Sequence, residues 1–267
     1  MLGVHTNYAS IVAQGAVNKS NNLLTNAMER LSTGLRINGA SDDAAGLQIA
    51  NRMSANVKGM ETASRNISDA TSMLQTADGA LEELNTIGNR QKELATQAAN
   101  GVNSDEDLKA LNDEFKELNS EIARILEKTS YAGNDLFTSL EGSVQFQIGA
   151  GSDEILTVTT KKIDAAALKA GDLTTGATAA IDLVDTFIAS VGTERSTLGA
   201  NINRLGHTAA NLASVTENTK TAAGRIMDAD FAVESANMTR NQLLVQAGTT
   251  VLSSANQNTG LVMGLLR

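Results

Sequence analysis

Residues 60–98 read METASRNISDATSMLQTADGALEELNTIGNRQKELATQA, and the spacing within them decides the fold. Met60, Ala63, Ile67, Ala70, Leu74, Ala77, Leu81 and Leu84 follow alternating steps of three and four, with Gly88 next in register. That is the heptad pattern of a helix that buries one narrow stripe against other helices. Helical composition continues through Arg90 to Ala98, and GVNSD at 101–105 then interrupts it. Ser104 and Asp107 supply the S-x-x-D start of a second helix. Its stripe is Leu108, Leu111, Phe115, Leu118, Ile122 and Ile125, and so short a connection predicts that the two helices pack antiparallel.

A third stripe runs Ile181, Val184, Ile188, Val191, Arg195, Leu198, Ile202, Leu205, Ala209 and Leu212. The first and third stripes each imply a helix of at least ~40 Å, so the expected body is a rod. Between the second and third stripes the period changes to two. Val144, Phe146 and Ile148 alternate with polar residues, GAGSD at 149–153 supplies turn chemistry, and Leu156 and Val158 alternate again. This predicts a β-hairpin over about 142–160, followed by a Gly- and Thr-containing connector at 161–176.

Composition agrees with long helices. The chain has 267 residues, no proline, no cysteine, no tryptophan and 3% aromatics. Proline inside a helix costs roughly 3 kcal/mol, so its absence removes the commonest kink. The formal net charge of −9 argues against nucleic acid or an anionic membrane surface as partner, since both require a basic stripe. No stretch approaches the ~20 apolar residues needed to insert into a membrane, and MLGVHTNYAS at the start lacks the pattern of a Sec signal peptide. His5 and His207 stand outside any H-E-x-x-H pattern, there is no G-x-x-x-x-G-K-[ST], and no cofactor or enzymatic activity is expected.

The two ends differ in kind from the middle. Residues 1–28 carry one full charge, Lys19, while Leu24, Met28, Leu31 and Leu35 begin a 4-3-4 pattern. Phe231, Met238, Val245 and Leu252 recur every seven residues, and residues 241–266 carry no charge at all. Small residues fill many other positions, permitting close approach on several faces. Two such helices paired alone leave uncharged surface exposed, which predicts that neighbouring copies cover it. The expected fold is therefore mainly α: a long antiparallel coiled-coil bundle with one β-hairpin, the N- and C-terminal helices pairing as a separate inner coiled coil.

LSTGLRINGASDDAAGLQIANRM at 31–53, FQIG at 146–149, RIMDADFAVESANMTRNQLLVQAGTTVLSSANQ within 225–262 and the closing LLR at 265–267 resemble flagellin, the subunit of the bacterial flagellar filament. The resemblance implies a homopolymeric, hollow helical filament serving motility, with residues 1–42 and 225–267 as the inner domain. Leu24, Met28, Leu31, Leu35, Phe231, Met238, Val245, Leu252, Leu265 and Leu266 are its candidate assembly residues. Residues 43–224 would form the rod domain, with helices at about 43–100, 104–129 and 177–224, and the large variable outer domain of many flagellins is missing. Arg36, Asn38, Ser41, Asp42 and Asp43 fall in the segment linking the two domains; Ser41 to Asp43 suit the N-terminus of the next helix, and Arg36 and Asn38 offer donors to a neighbour. Val144, Phe146, Ile148, Leu156 and Val158 make the hairpin the candidate switchable contact.

The same resemblance implies export through the flagellar type III pathway to the extracellular flagellum, an export chaperone on the C-terminal segment, and contact with the filament cap and hook-associated proteins. Arg90, Leu94 and Gln97, with Glu114 on the neighbouring helix, match the surface by which vertebrate Toll-like receptor 5 recognises flagellins in innate immunity; the same residues would serve axial packing. Spacings of four and three predict that one face presents Arg90, Leu94 and Gln97 together. Two other readings stand beside this one: a hook-filament junction protein, similar at both ends, and, more distantly, a secreted coiled-coil effector or adhesin.

Overall fold

The computed structural model describes residues 6–265. Helices α1 (Tyr8–Thr33), α2 (Ala44–Ala98) and α3 (Asp105–Lys128) come first. A two-residue ladder, β1 (Ser130–Tyr131) with β2 (Asn134–Asp135), leads into the short helix α4 (Leu136–Leu140). The hairpin β3 (Gly142–Gln147) and β4 (Ile155–Thr160) follows, then a 3-10 turn at Ala167–Ala170, then α5 (Leu173–Met227) and α6 (Phe231–Leu265). The chain divides into two compact units, Met1–Ala55 with Asn218–Arg267, and Asn56–Glu217.

In the second unit, all eight heptad residues from Met60 to Leu84 are buried, and the stripe continues through Gly88, Gln91, Ala95 and Ala98. α3 starts as its sequence predicts. The Ser104 Oγ accepts from the Asp107 amide at 3.2 Å, and the Ser104 amide donates to the Asp107 carboxylate at 3.1 Å, closing a capping box. The buried centre of α3 is Asn112, Phe115, Asn119 and Ile122, while Leu108, Leu111, Leu118 and Ile125 flank it half-buried. α5 runs antiparallel to α2, with Arg195 on Asp78 at 2.9 Å and Lys92 on Asp185 at 2.6 Å.

Here the expected third stripe requires correction. The buried run of α5 is Ala180, Val184, Phe187, Val191, Glu194, Leu198, Asn201 and Leu205. Arg195 lies at its flank, where Asp78 and Glu82 hold its guanidinium outward and raise its pKa, chiefly through the Asp78 hydrogen bond. Ile181, Ile188, Ile202, Ala209 and Leu212 are half-buried beside the run. Apolar spacing alone chose the flanking residues because two of the central positions are polar.

The connector is fastened to the bundle by buried amides. Gln91 donates to Asn119 Oδ1 at 2.8 Å and to the Phe115 carbonyl at 3.3 Å; Asn119 donates onward to the Leu168 carbonyl at 3.1 Å. Asn112 accepts from the Leu173 amide at 3.1 Å. Buried donors persist where such partners satisfy them, and these bonds fix where α5 begins; the Gln91 Oε1 beside them is buried without a hydrogen-bond partner.

Hairpin register pairs Val144 with Val158 and Phe146 with Leu156, so one face is apolar; Leu156 and Val158 are buried, and Val144, Phe146 and Ile148 pack half-buried against the core. Its tip rests on α2. A Cβ at Gly59 would stand 2.9 Å from the Ala150 Cβ, and Asn66 donates to the Gln147 carbonyl at 3.3 Å. The ladder at 130–135 turns through Ala132 and Gly133, both at positive φ; its strands are too short for an alternating pattern to announce them.

Candidate assembly interface

α1 and α6 pair antiparallel within the first unit. At one end the Asn7 side chain donates to the Ala255 carbonyl at 2.9 Å; at the other Arg30 pairs with Glu234 at 3.1 Å. Between them a Cβ at Gly248 would fall 2.5 Å from Val17 Cγ2, so the backbones approach where only hydrogen fits. Gly248→Val is expected to wedge the pair apart at about 1–3 kcal/mol, raising the critical concentration for polymerisation roughly tenfold or more in sedimentation assays.

Leu24, Leu31, Leu35, Met238, Val245 and Leu252 are half-buried in this unit. Met28 and Phe231 are not: they are 45% and 70% exposed, and Ala27 and Glu234 occupy the inward positions instead. The stripe of α1 steps through Leu24, Ala27 and Leu31, with Ala27 its buried centre. The side chain of Leu265, and Leu266 entirely, lie outside the described residues.

What the pair leaves uncovered is large and apolar. Tyr8, Ile11, Val12, Met28, Phe231, Leu243, Leu244 and Val251 are all exposed, whereas the one fully buried apolar residue described in α1 is Ala27. Hydroxyls stud the same surface of α6 and turn back on their own helix. Thr239 donates to the Ser235 carbonyl, Thr249 to Gln246, Thr250 to Ala247 and Ser254 to Thr250.

The linking segment is tied to the end of α5. Gly34 ends α1 at φ +74°, its amide on the Arg30 carbonyl at 2.8 Å. Residues 34–36 then lie antiparallel to 227–229: the Arg36 amide donates to the Met227 carbonyl, the Ala229 amide to the Gly34 carbonyl, and the Arg36 guanidinium to the Ile226 carbonyl at 2.8 Å. Asn38 donates to the Leu35 carbonyl, so at least one donor each of Arg36 and Asn38 serves the chain itself. Replacing Gly34 with alanine is expected to cost about 1–2 kcal/mol, since a Cβ disfavours this left-handed backbone. Loss of α1/α6 helicity at lower temperature by circular dichroism would register it.

The acidic run divides its work. Asp43 caps α2 by accepting from the Gly46 amide at 2.8 Å. Asp42 turns back to accept from the Asn38 and Gly39 amides at 2.9 and 3.0 Å, and these bonds hold its carboxyl below the ordinary value. The expected shared capping role of Ser41, Asp42 and Asp43 thus belongs to Asp43. Gly46 is small so that Ile37, 1% exposed, can seat beside it; a Cβ there would meet Ile37 Cδ1 at 2.9 Å.

On the second unit Arg90 Nε and Nη2 grip one carboxylate oxygen of Glu114 at 3.0 and 2.8 Å, with Glu93 at 3.1 Å. Gln97 is exposed nearby on α2. Leu94 departs from expectation: at 1% exposure it belongs to the core, on a stretch of α2 flanked by α3 through Gln91 and by α5 through Lys92. His207 is exposed. Among the described residues no group of histidines and carboxylates could hold a metal, and no helix is long and apolar enough to cross a membrane.

Residues 4–141 match the bacterial flagellin N-terminal helical region, and residues 181–266 match the bacterial flagellin C-terminal helical region. A flagellin of Halalkalibacterium halodurans is 45% identical over 90% of this chain and 91% of its own. A flagellin of Xenorhabdus nematophila is 37% identical over 99% of both chains. Flagellin A of Vibrio anguillarum is 32% identical over 99% of both, in an alignment of 375 positions, so that relative carries insertions this chain lacks. The crystal structure of Bacillus cereus flagellin is 35% identical, covering 55% of this chain and 88% of that one, with a TM-score of 0.49.

Proposed function

The chain belongs to the bacterial flagellin family, as a short form without the outer domain and a structural subunit of the flagellar filament; from that premise we propose how its parts divide the work of assembly. It is not an enzyme, and it self-assembles with its own copies. In the proposed division, residues 1–42 and 225–267 form the inner part of a hollow tube, and residues 43–224 form the surrounding rod. The observation that carries this reading is the apolar, charge-poor surface left open on the α1/α6 pair, which over residues 241–266 carries no charge at all. Exposed apolar area of that kind marks a protein–protein interface, and a pair that buries so little of its own apolar surface gains its stability from neighbours.

Export of the largely unfolded chain, its extracellular folding at the filament tip, and contacts with the cap and hook-associated proteins belong to the same proposal. An export chaperone would shield the uncharged 241–266 segment before secretion. Arg90, Gln97 and Glu114 form the proposed surface shared between axial packing and Toll-like receptor 5. The hairpin, with its tip on Gly59, is the proposed switchable contact between rods.

Negative-stain electron microscopy after adding sulfate, which strengthens burial of apolar surface, tests self-sufficient assembly. Long uniform tubes are expected. Persistent monomers or short oligomers would instead indicate a hook-filament junction protein that needs a template.

A further inference from the structure

Inside the second unit, α2, α3, α4, the end of β4, the connector and the middle of α5 line a pocket of about 330 Å³ that opens to solvent on one side. Leu81, Leu126, Phe137, Leu140 and Leu198 give it an apolar lining. The same lining includes Glu194, which sits between Val191 and Leu198 in the buried run of α5. Glu194 is 7% exposed, and its Oε2 is buried without a hydrogen-bond partner. A carboxylate in such a place is costly unless a cation or donor meets it. Hydrophobic residues of similar size would serve packing better, so the position calls for an explanation that packing does not give.

The mouth carries both signs. Lys161, Lys162 and Lys169 alternate there with Glu127, Glu141 and Asp164, and Lys162 is within 3.9 Å of Glu141. The mouth is therefore close to neutral, and the unbalanced charge is the one inside. A metal ion does not fit this arrangement, since it needs several ligating groups, and no such cluster occurs among the described residues. An organic ammonium does: it is a monovalent cation that needs no shell of several carboxylates, and one of its three donors would make a charge-assisted hydrogen bond to the unpartnered Glu194 Oε2. Its hydrocarbon part would lie against the leucines. The volume falls in the lower part of the range of small-molecule pockets, roughly 300–1,000 Å³.

We propose that this cavity is a binding site for a small alkylammonium ion, with the ammonium on Glu194 and the hydrocarbon chain against Leu81, Leu126 and Leu198.

The test is calorimetric titration of the full-length chain with hexylammonium and, in parallel, with hexanol, which has the same hydrocarbon without the charge. Hexylammonium is expected to bind about tenfold more tightly than hexanol, the increment of one charge-assisted hydrogen bond. Glu194→Gln should remove that difference while retaining the helical spectrum. Ala123→Phe, which fills the cavity from α3 and leaves Glu194 in place, should abolish binding of both, and it decides the matter if the first variant fails to fold. Equal affinity for the two probes, undiminished hexylammonium binding by Glu194→Gln, or hexylammonium binding that appears only after Lys169→Met would overturn the proposal; the last result would place the chain's own ammonium on Glu194.

Discussion

A chain ending at Arg240 is expected to form no filaments under sulfate conditions in which the full-length protein forms tubes. The deletion removes Val245, Gly248, Leu252 and Ala255, and with them the close approach to Val17 and the bond from Asn7. It also removes the exposed Leu243, Leu244 and Val251. α1 then has no partner for its N-terminal half. Lone amphipathic helices are marginal in water, where tertiary packing supplies most of their stability. The buried run of the second unit does not involve the deleted residues, so circular dichroism should still report a strongly helical protein with cooperative melting. Normal filaments from the shortened chain would refute the assignment of residues 225–267 to the inner domain.

Phe115→Ala is expected to act in the opposite place. Phe115 is fully buried and contributes the largest buried side chain of α3. Its ring abuts Gly171, where a Cβ would stand 3.2 Å from Phe115 Cε1. Removal leaves a cavity beneath the connector and costs about 3–5 kcal/mol. For a unit of this size that corresponds to a fall in Tm on the order of 10 °C, readable by calorimetry on the monomer. The polar layer beside it should loosen as well, because Gln91 and Asn119 hold the connector through the same patch. An unchanged Tm would show that the α2/α3/α5 core does not depend on this ring.

Much of this was legible in the residues themselves. The stripe from Met60 to Leu84, the Ser104 cap and the alternation of Val144, Phe146, Leu156 and Val158 each rest on a local rule, and each appears in the structure. What escaped were positions where a distant segment decides. Asn112 and Asn119 look like surface residues until Leu173 and Leu168 arrive to satisfy them. Glu194 and Asn201 displaced the expected register of α5 for a similar reason: a hydropathy pattern assigns polar residues outward. Leu94 shares the Arg90 and Gln97 spacing on a single helix, but the neighbouring helices of the bundle bury it, and the spacing of one helix does not register them. Met28 follows the 4-3-4 step of α1 and Phe231 the seven-residue recurrence of α6, and such spacing places a residue along a stripe without registering what the partner helix covers.

The hydroxyls that bend back onto α6 bear on the thermodynamics of polymerisation. Serine and threonine have short side chains, and Thr239, Thr249, Thr250 and Ser254 already spend their hydrogen bonds on carbonyls of their own helix. When another surface closes over them, they have little rotamer freedom left to lose and few water contacts to surrender. A face studded with lysine and glutamate would forfeit up to about 2 kcal/mol of side-chain entropy per residue on the same event. Growth of the polymer is thereby left to the leucines and valines between the hydroxyls, and its driving force should be entropic near room temperature, with assembly favoured by warming.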